Sequence, residues 1–150
     1  MALSAPARYI KRQIGEQSFP IATGQVIYNG AYVCLNTAGY VIVPSDVTTG
    51  VDGLGFVVGF DENSQTETNI TGDNSIECSV DIGGTIVDGL SVTGVTAQTN
   101  VGELVYATSD NVFTLTPTTA IQEVGVVVRR VSNTDVSVLF FPYHTMRMIR

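Results

Sequence analysis

Residues 24–43 read GQVIYNGAYVCLNTAGYVIV, three short apolar runs (QVIY, AYVCLN, YVIV) parted by Asn29-Gly30 and by Thr37-Ala38-Gly39. Each run is rich in Val, Ile and Tyr, which favour a pleated, half-buried surface, and each ends in turn-forming residues. Asn29-Gly30 matches the type I′ hairpin turn, in which both central residues take positive φ. The same texture continues through LGFVVGF, SIECSVDI, GTIV, GELVYA, VFTLT, EVGVVVRRV and DVSVLFF, with turn chemistry between them. No long segment carries a 3.6-residue period, and only TTAIQE (118–123) suggests a short helical turn. The expected fold is all-β, a compact antiparallel β-barrel or β-sandwich of about ten short strands with an extended N-terminal arm and a short C-terminal tail.

The segments divide as an arm at 1–20, a β body at 21–141 and a tail at 142–150. Pro6, Gly15 and Pro20 interrupt the arm, and its apolar residues are sparse. RYIKRQI suits a short helix or a strand equally well. In the tail, Pro142 ends the last strand, and Phe141, Tyr143, Met146 and Met148 form an apolar cluster next to Arg147 and Arg150. Such an end covers the mouth of its own barrel or inserts into a neighbouring subunit.

The body contains an internal echo. Gly24-Gln25-Val26-Ile27-Tyr28 resembles Gly102-Glu103-Leu104-Val105-Tyr106, 78 residues on (102 − 24). A further strand follows each, AYVCLN or NVFTLT, and then a glycine-led run, Gly55-Phe56-Val57-Val58 or Gly125-Val126-Val127-Val128, with an offset of 70 (125 − 55). Two copies are too few for a solenoid but suit a pseudo-symmetric barrel.

Composition narrows the function. Hydrophobic residues make up 44% and charged residues only 14%, against about 25% charged in ordinary domains. The net charge is −7, and no Lys or Arg occurs from Gln13 to Val128, a stretch with thirteen of the fourteen acids. An acidic body repels phosphate, which disfavours nucleic acid as a partner. No run is long enough to cross a membrane, and MALSAPARYIKRQIGEQ lacks the apolar core of a secretory signal, so synthesis in a cytoplasm is expected. In that reducing setting Cys34 and Cys78 read as buried thiols acting as small hydrophobes.

Catalytic chemistry is not expected. The one histidine, His144, lies in the tail, away from any credible Ser-His-Asp set. DENSQTETNITGDN (61–74) lacks the spacing and terminal Glu of a calcium loop, and two Cys with one His do not make a zinc site. Gly-rich pieces such as GLGFVVG precede no helix that would help bind phosphate. No cofactor is implied. Asn69-Ile70-Thr71 fits the glycosylation pattern incidentally. A carbohydrate-binding β-sandwich stacking sugars on Tyr28, Tyr32, Tyr40 and Tyr106 is a competing reading, weakened by the absence of Trp.

The order GQVIYNGAYVCLNTAGYV, GLGFVVGF, a central CSVDIGG, VGELVYATSDNVFTLT and then EVGVVVRRV with VSVLF resembles the capsid decoration (cement) proteins of tailed bacteriophages. The resemblance covers about residues 20–141 and rests on strand and turn patterns. It implies a virion structural protein, made in the host cytoplasm, that binds the outer capsid surface and bridges neighbouring major capsid protein subunits, often as a homotrimer. Within that picture Arg8, Tyr9, Ile10, Lys11, Arg12 and Ile14 of the arm would contact the capsid, adding a strand to a capsid sheet edge. The tail residues Phe141, Tyr143, Met146 and Met148 would lie between subunits. A tail, neck or fibre-base module of a virion is the nearest alternative.

Overall fold

A computed structural model describes residues 15–47, 51–60, 69–117 and 123–143, and in these the chain is all-β. Seven strands occupy the first half: β1 (Glu16–Pro20), β2 (Val26–Tyr28), β3 (Tyr32–Leu35), β4 (Val41–Ile42), β5 (Gly53–Phe60), β6 (Asn69–Thr71) and β7 (Glu77–Asp81). Six follow: β8 (Thr85–Leu90), β9 (Val92–Thr93), β10 (Leu104–Ala107), β11 (Phe113–Thr114), β12 (Gly125–Ser132) and β13 (Asp135–Phe140). The first half forms a sheet in the order β1-β7-β5-β3-β4, the second a sheet in the order β8-β13-β12-β10-β11-β9, and β2 pairs with β6 alone.

The two larger sheets are the same sheet built twice. Tyr32 faces Phe56 and Val33 faces Gly55, as Leu104 faces Val126 and Val105 faces Gly125. Cys34 and Leu35 pair with Ile42 and Val41, as Tyr106 and Ala107 pair with Thr114 and Phe113. The third pairing agrees down to its irregularity. Val57 faces Val80 and the register then shifts so that Gly59 faces Ser79; Val127 faces Val138 and shifts so that Arg129 faces Ser137. A bulge conserved between two halves bends both sheets at the same place. Even the lead-in hydrogen bonds repeat. Gly30 donates its N–H to Val57 O (2.8 Å) and Gly102 donates to Val127 O (2.7 Å).

Each sheet also closes in the same way. β1 runs on into Ile21, which makes a parallel bridge to Val41 on the far edge. In the second half β8 runs through Ser91 into β9, whose Val92 pairs in parallel with Phe113. One bent strand thus reaches both edges of a curled sheet and reduces the exposed edge to short gaps. The side chains inside follow the period of two. Ile21, Val33, Val41, Leu54, Val57, Cys78 and Val80 fill the first repeat, and their counterparts Val92, Val105, Phe113, Val124, Val127, Val136 and Val138 fill the second; all are buried.

The repeats meet through aromatic rings. Tyr32 and Phe56 point outward from the first sheet and meet Phe113 and Phe140 of the second, with all six ring-to-ring distances between 4.7 and 6.3 Å. Most pairs are edge-on, the arrangement the ring quadrupoles favour, worth roughly 0.5–1.5 kcal/mol per pair beyond area burial. The Tyr32 N–H also donates to Asp110 O at 2.8 Å, tying β3 to the turn between β10 and β11. β3 is therefore buried on both faces, which explains why AYVCL is apolar without alternation.

Several expectations change. The echo exists, but its first strand is GAYVC, not GQVIY: Gly30 corresponds to Gly102, an offset of 72 (102 − 30), while the offset of 70 at Gly55 and Gly125 stands. Asn29-Gly30 does not join a hairpin, because β2 pairs with β6; only Gly30 has positive φ, so the turn is not type I′. Glu16–Pro20, placed in the arm, is a strand paired residue by residue with β7. The loop read at 61–74 contains β6. Most of TTAIQE lies outside the described residues. Cys34 and Cys78 are both fully buried, one in each core.

Candidate docking site

The connection between the repeats is short: β7 ends at Asp81 and β8 begins at Thr85. Its sharp passage is set by Asp81, whose carboxylate accepts the Gly83 N–H at 3.0 Å, and by Gly84 at φ +82°, which few side chains tolerate. Both ends of the described chain converge here. Ile82 donates its N–H to Gly15 O and accepts the Tyr143 N–H, each at 3.0 Å. Pro142 packs over Gly84, so that a Cβ there would come within 3.0 Å of the proline ring. Tyr143 rests against the core of the first repeat, and Phe141 donates its N–H to Val124 O at 2.9 Å.

Segments 1–14 and 144–150 therefore join the body side by side, one through Gly15 and one through Tyr143. Arg8, Tyr9, Ile10, Lys11, Arg12 and Ile14, together with His144, Met146 and Met148, lie outside the described residues. Phe141 and Tyr143 lie inside them, half-buried at this junction. The two segments carry five of the seven basic residues of the chain. The body beside them carries the opposite sign. Exposed Glu16 and half-buried Asp81 face each other across β1 and β7, and Glu16, Gln17, Ser18 and Ser79 line a shallow polar hollow of about 230 Å³. Such a hollow offers hydrogen-bonding groups and no apolar enclosure for a small molecule.

The other candidates disperse. Tyr28 is exposed and Tyr40 and Tyr106 are half-buried, but Tyr32 lies inside the aromatic joint, so the four do not form a stacking platform. Burial, followed by the charges of Cys34 and Asp52, raises the Tyr32 phenol well above its ordinary value. Asp73, from the acidic loop, is held by a turn: its Oδ1 accepts the Ser75 N–H, the Ser75 hydroxyl and the Ile76 N–H, each at 2.8 Å. Those bonds, the Ile76 N–H foremost, hold its carboxyl below the usual range. Among the described residues no group of three or more His, Cys, Asp or Glu is placed to hold a metal ion, and no helix is long and apolar enough to cross a membrane. Gly83-Gly84 has the local look of an ordinary turn, and the junction is not legible in it. Nothing local marks Ile82 as the residue to which both ends are bonded.

Fold and junction together define a tandem pair of small closed β units, locked by aromatic rings, with two basic chain segments leaving from one point. No family model, no curated protein and no solved structure matches the chain.

Proposed function

We propose that the chain is a phage head decoration protein, which binds the outer surface of the assembled capsid and stabilises it by bridging neighbouring major capsid protein subunits. The observation that carries this reading is the convergence of the arm and the tail on Ile82. Two segments rich in cations and apolar anchors, leaving an acidic body at one place, give it a single gripping end. That end can engage an edge or groove where two capsid subunits meet. The body, with few charges and a closed pair of sheets, then acts as a rigid block beside the seam. A capsid lattice repeats its site many times, so a modest affinity at each one suffices for high occupancy when several copies act together.

The test is co-sedimentation of the purified chain with expanded heads lacking it. The intact chain should pellet with heads. A variant without residues 1–14 should keep its β circular dichroism, because Glu16–Pro20 remains, and should stay in the supernatant. Intact protein left in the supernatant would overturn the reading.

A further inference from the structure

A tyrosine covers the same place in each repeat. Ile82 holds in the first repeat the position that Phe140 holds in the second, because the residues just before them match: Phe56 faces Asp81 as Val126 faces Leu139. Val41 likewise corresponds to Phe113. In the second repeat Phe140 and Phe113 are met by Tyr32, with ring centres 5.5 and 5.9 Å away. In the first, Ile82 O accepts the Tyr143 N–H at 3.0 Å, and Tyr143 and Ile82 both pack against the core that contains Val41. Each closed sheet thus receives a tyrosine from outside itself, Tyr143 in one case and Tyr32 in the other.

The two covers differ in how they are held. Tyr32 is 1% exposed and lies on β3, which pairs with β4 on one side and β5 on the other. Tyr143 is half-buried and lies beyond the last strand. Phe141 and Pro142 fix its approach, through Val124 O and over Gly84, so that Tyr143 can leave while they stay. A tyrosine suits this boundary, with an apolar ring for the core and a hydroxyl for water. We infer that this end of the first repeat is a socket for a tyrosine on an extended segment of a partner protein, with Tyr143 as its exchangeable occupant in the free chain. The ligand is a peptide because the Ile82 carbonyl, once Tyr143 leaves, takes its hydrogen bond from an incoming backbone N–H. Charge favours a cationic segment: Glu16 and Asp81 face each other beside the socket, and the described residues of the first repeat contain no Lys or Arg.

The inference goes beyond head binding and is tested without heads, so the two fail separately. The probe is the peptide PYHTMRMIR, the sequence of residues 142–150, titrated into the full-length Y143A chain. The nuclear magnetic resonance signals of Ile82 and Val41 report occupancy. Y143A should keep its β circular dichroism and bind the peptide saturably. The same peptide with alanine for tyrosine keeps every charge and should bind at least about tenfold more weakly, since it lacks the ring. The wild type, its socket already filled, should also bind the tyrosine peptide at least about tenfold more weakly. In the wild type alone, the Tyr143 amide should exchange its hydrogen at least about tenfold faster than the Phe141 amide, a measurement that stands even where Y143A fails to fold. Equal affinity for the two peptides, equal affinity of the two chains, no saturable binding to Y143A, or equal protection of the two amides would each overturn the assignment.

Discussion

Gly55 and Gly125 hold the same place in the two repeats, and at both a Cβ would run into the carbonyl of the next strand, that of Asp81 in one case and Leu139 in the other. The strand after each glycine passes too close for a side chain. This close approach is shared by the two halves, and it explains why a glycine leads both valine runs.

Alanine at either position should therefore destabilise the protein, by about 1–3 kcal/mol as overpacked cores do. G55A should cost more than G125A, because Gly55 also has φ +154°, which an L side chain rarely adopts. Urea midpoints of the two variants check both the size and the order.

The aromatic joint should behave as a unit. Phe140 is almost fully buried, and F140A should cost about 3–5 kcal/mol. The rings of Phe56 and Phe140 lie 4.7 Å apart at 88°, and a double-mutant cycle with F56L and F140L should return a coupling of about 0.5–1.5 kcal/mol. Zero coupling would mean that these two rings contribute only through the area they bury.

Alkaline pH should weaken the same joint. Burial raises the folded phenol of Tyr32 above its unfolded value, so the unfolded chain loses this proton first. The contribution is fully present below the ordinary tyrosine value of about 10 and is lost as pH rises from there through the folded value. Unfolding free energies measured across that window should fall more steeply for the wild type than for Y32F. Equal slopes would remove Tyr32 from the account.

The all-β class and most strands were legible because Val, Ile and aromatic runs alternate with turn residues. The three strands that escaped notice show where that signal fails. Glu16–Pro20 (EQSFP) is polar and ends in proline, yet it pairs with β7 through its backbone. Asn69–Thr71 is three residues within an acidic stretch, and Val92–Thr93 is two, closing a sheet in parallel. Short strands held by distant partners leave little local pattern. The echo was visible, but its register was misread by six residues. GQVIY looks more like GELVY than GAYVC does, because Tyr32 and Cys34 have adapted to face the second repeat while Leu104 faces outward. The candidate residues of the arm lie outside the described residues. The approach of Gly15 and Tyr143 to one residue was not legible, since it depends on two backbone hydrogen bonds between residues 15, 82 and 143.

The bonding of Gly15 and Tyr143 to Ile82 has a mechanical consequence. Traction on the segment before Gly15 enters β1 and traction on the segment after Tyr143 enters β13, and the two hydrogen bonds at Ile82 tie both entry points to the connection between β7 and β8. Neither half takes the strain alone, because the three residues that join the two sheets are bonded to both points of entry.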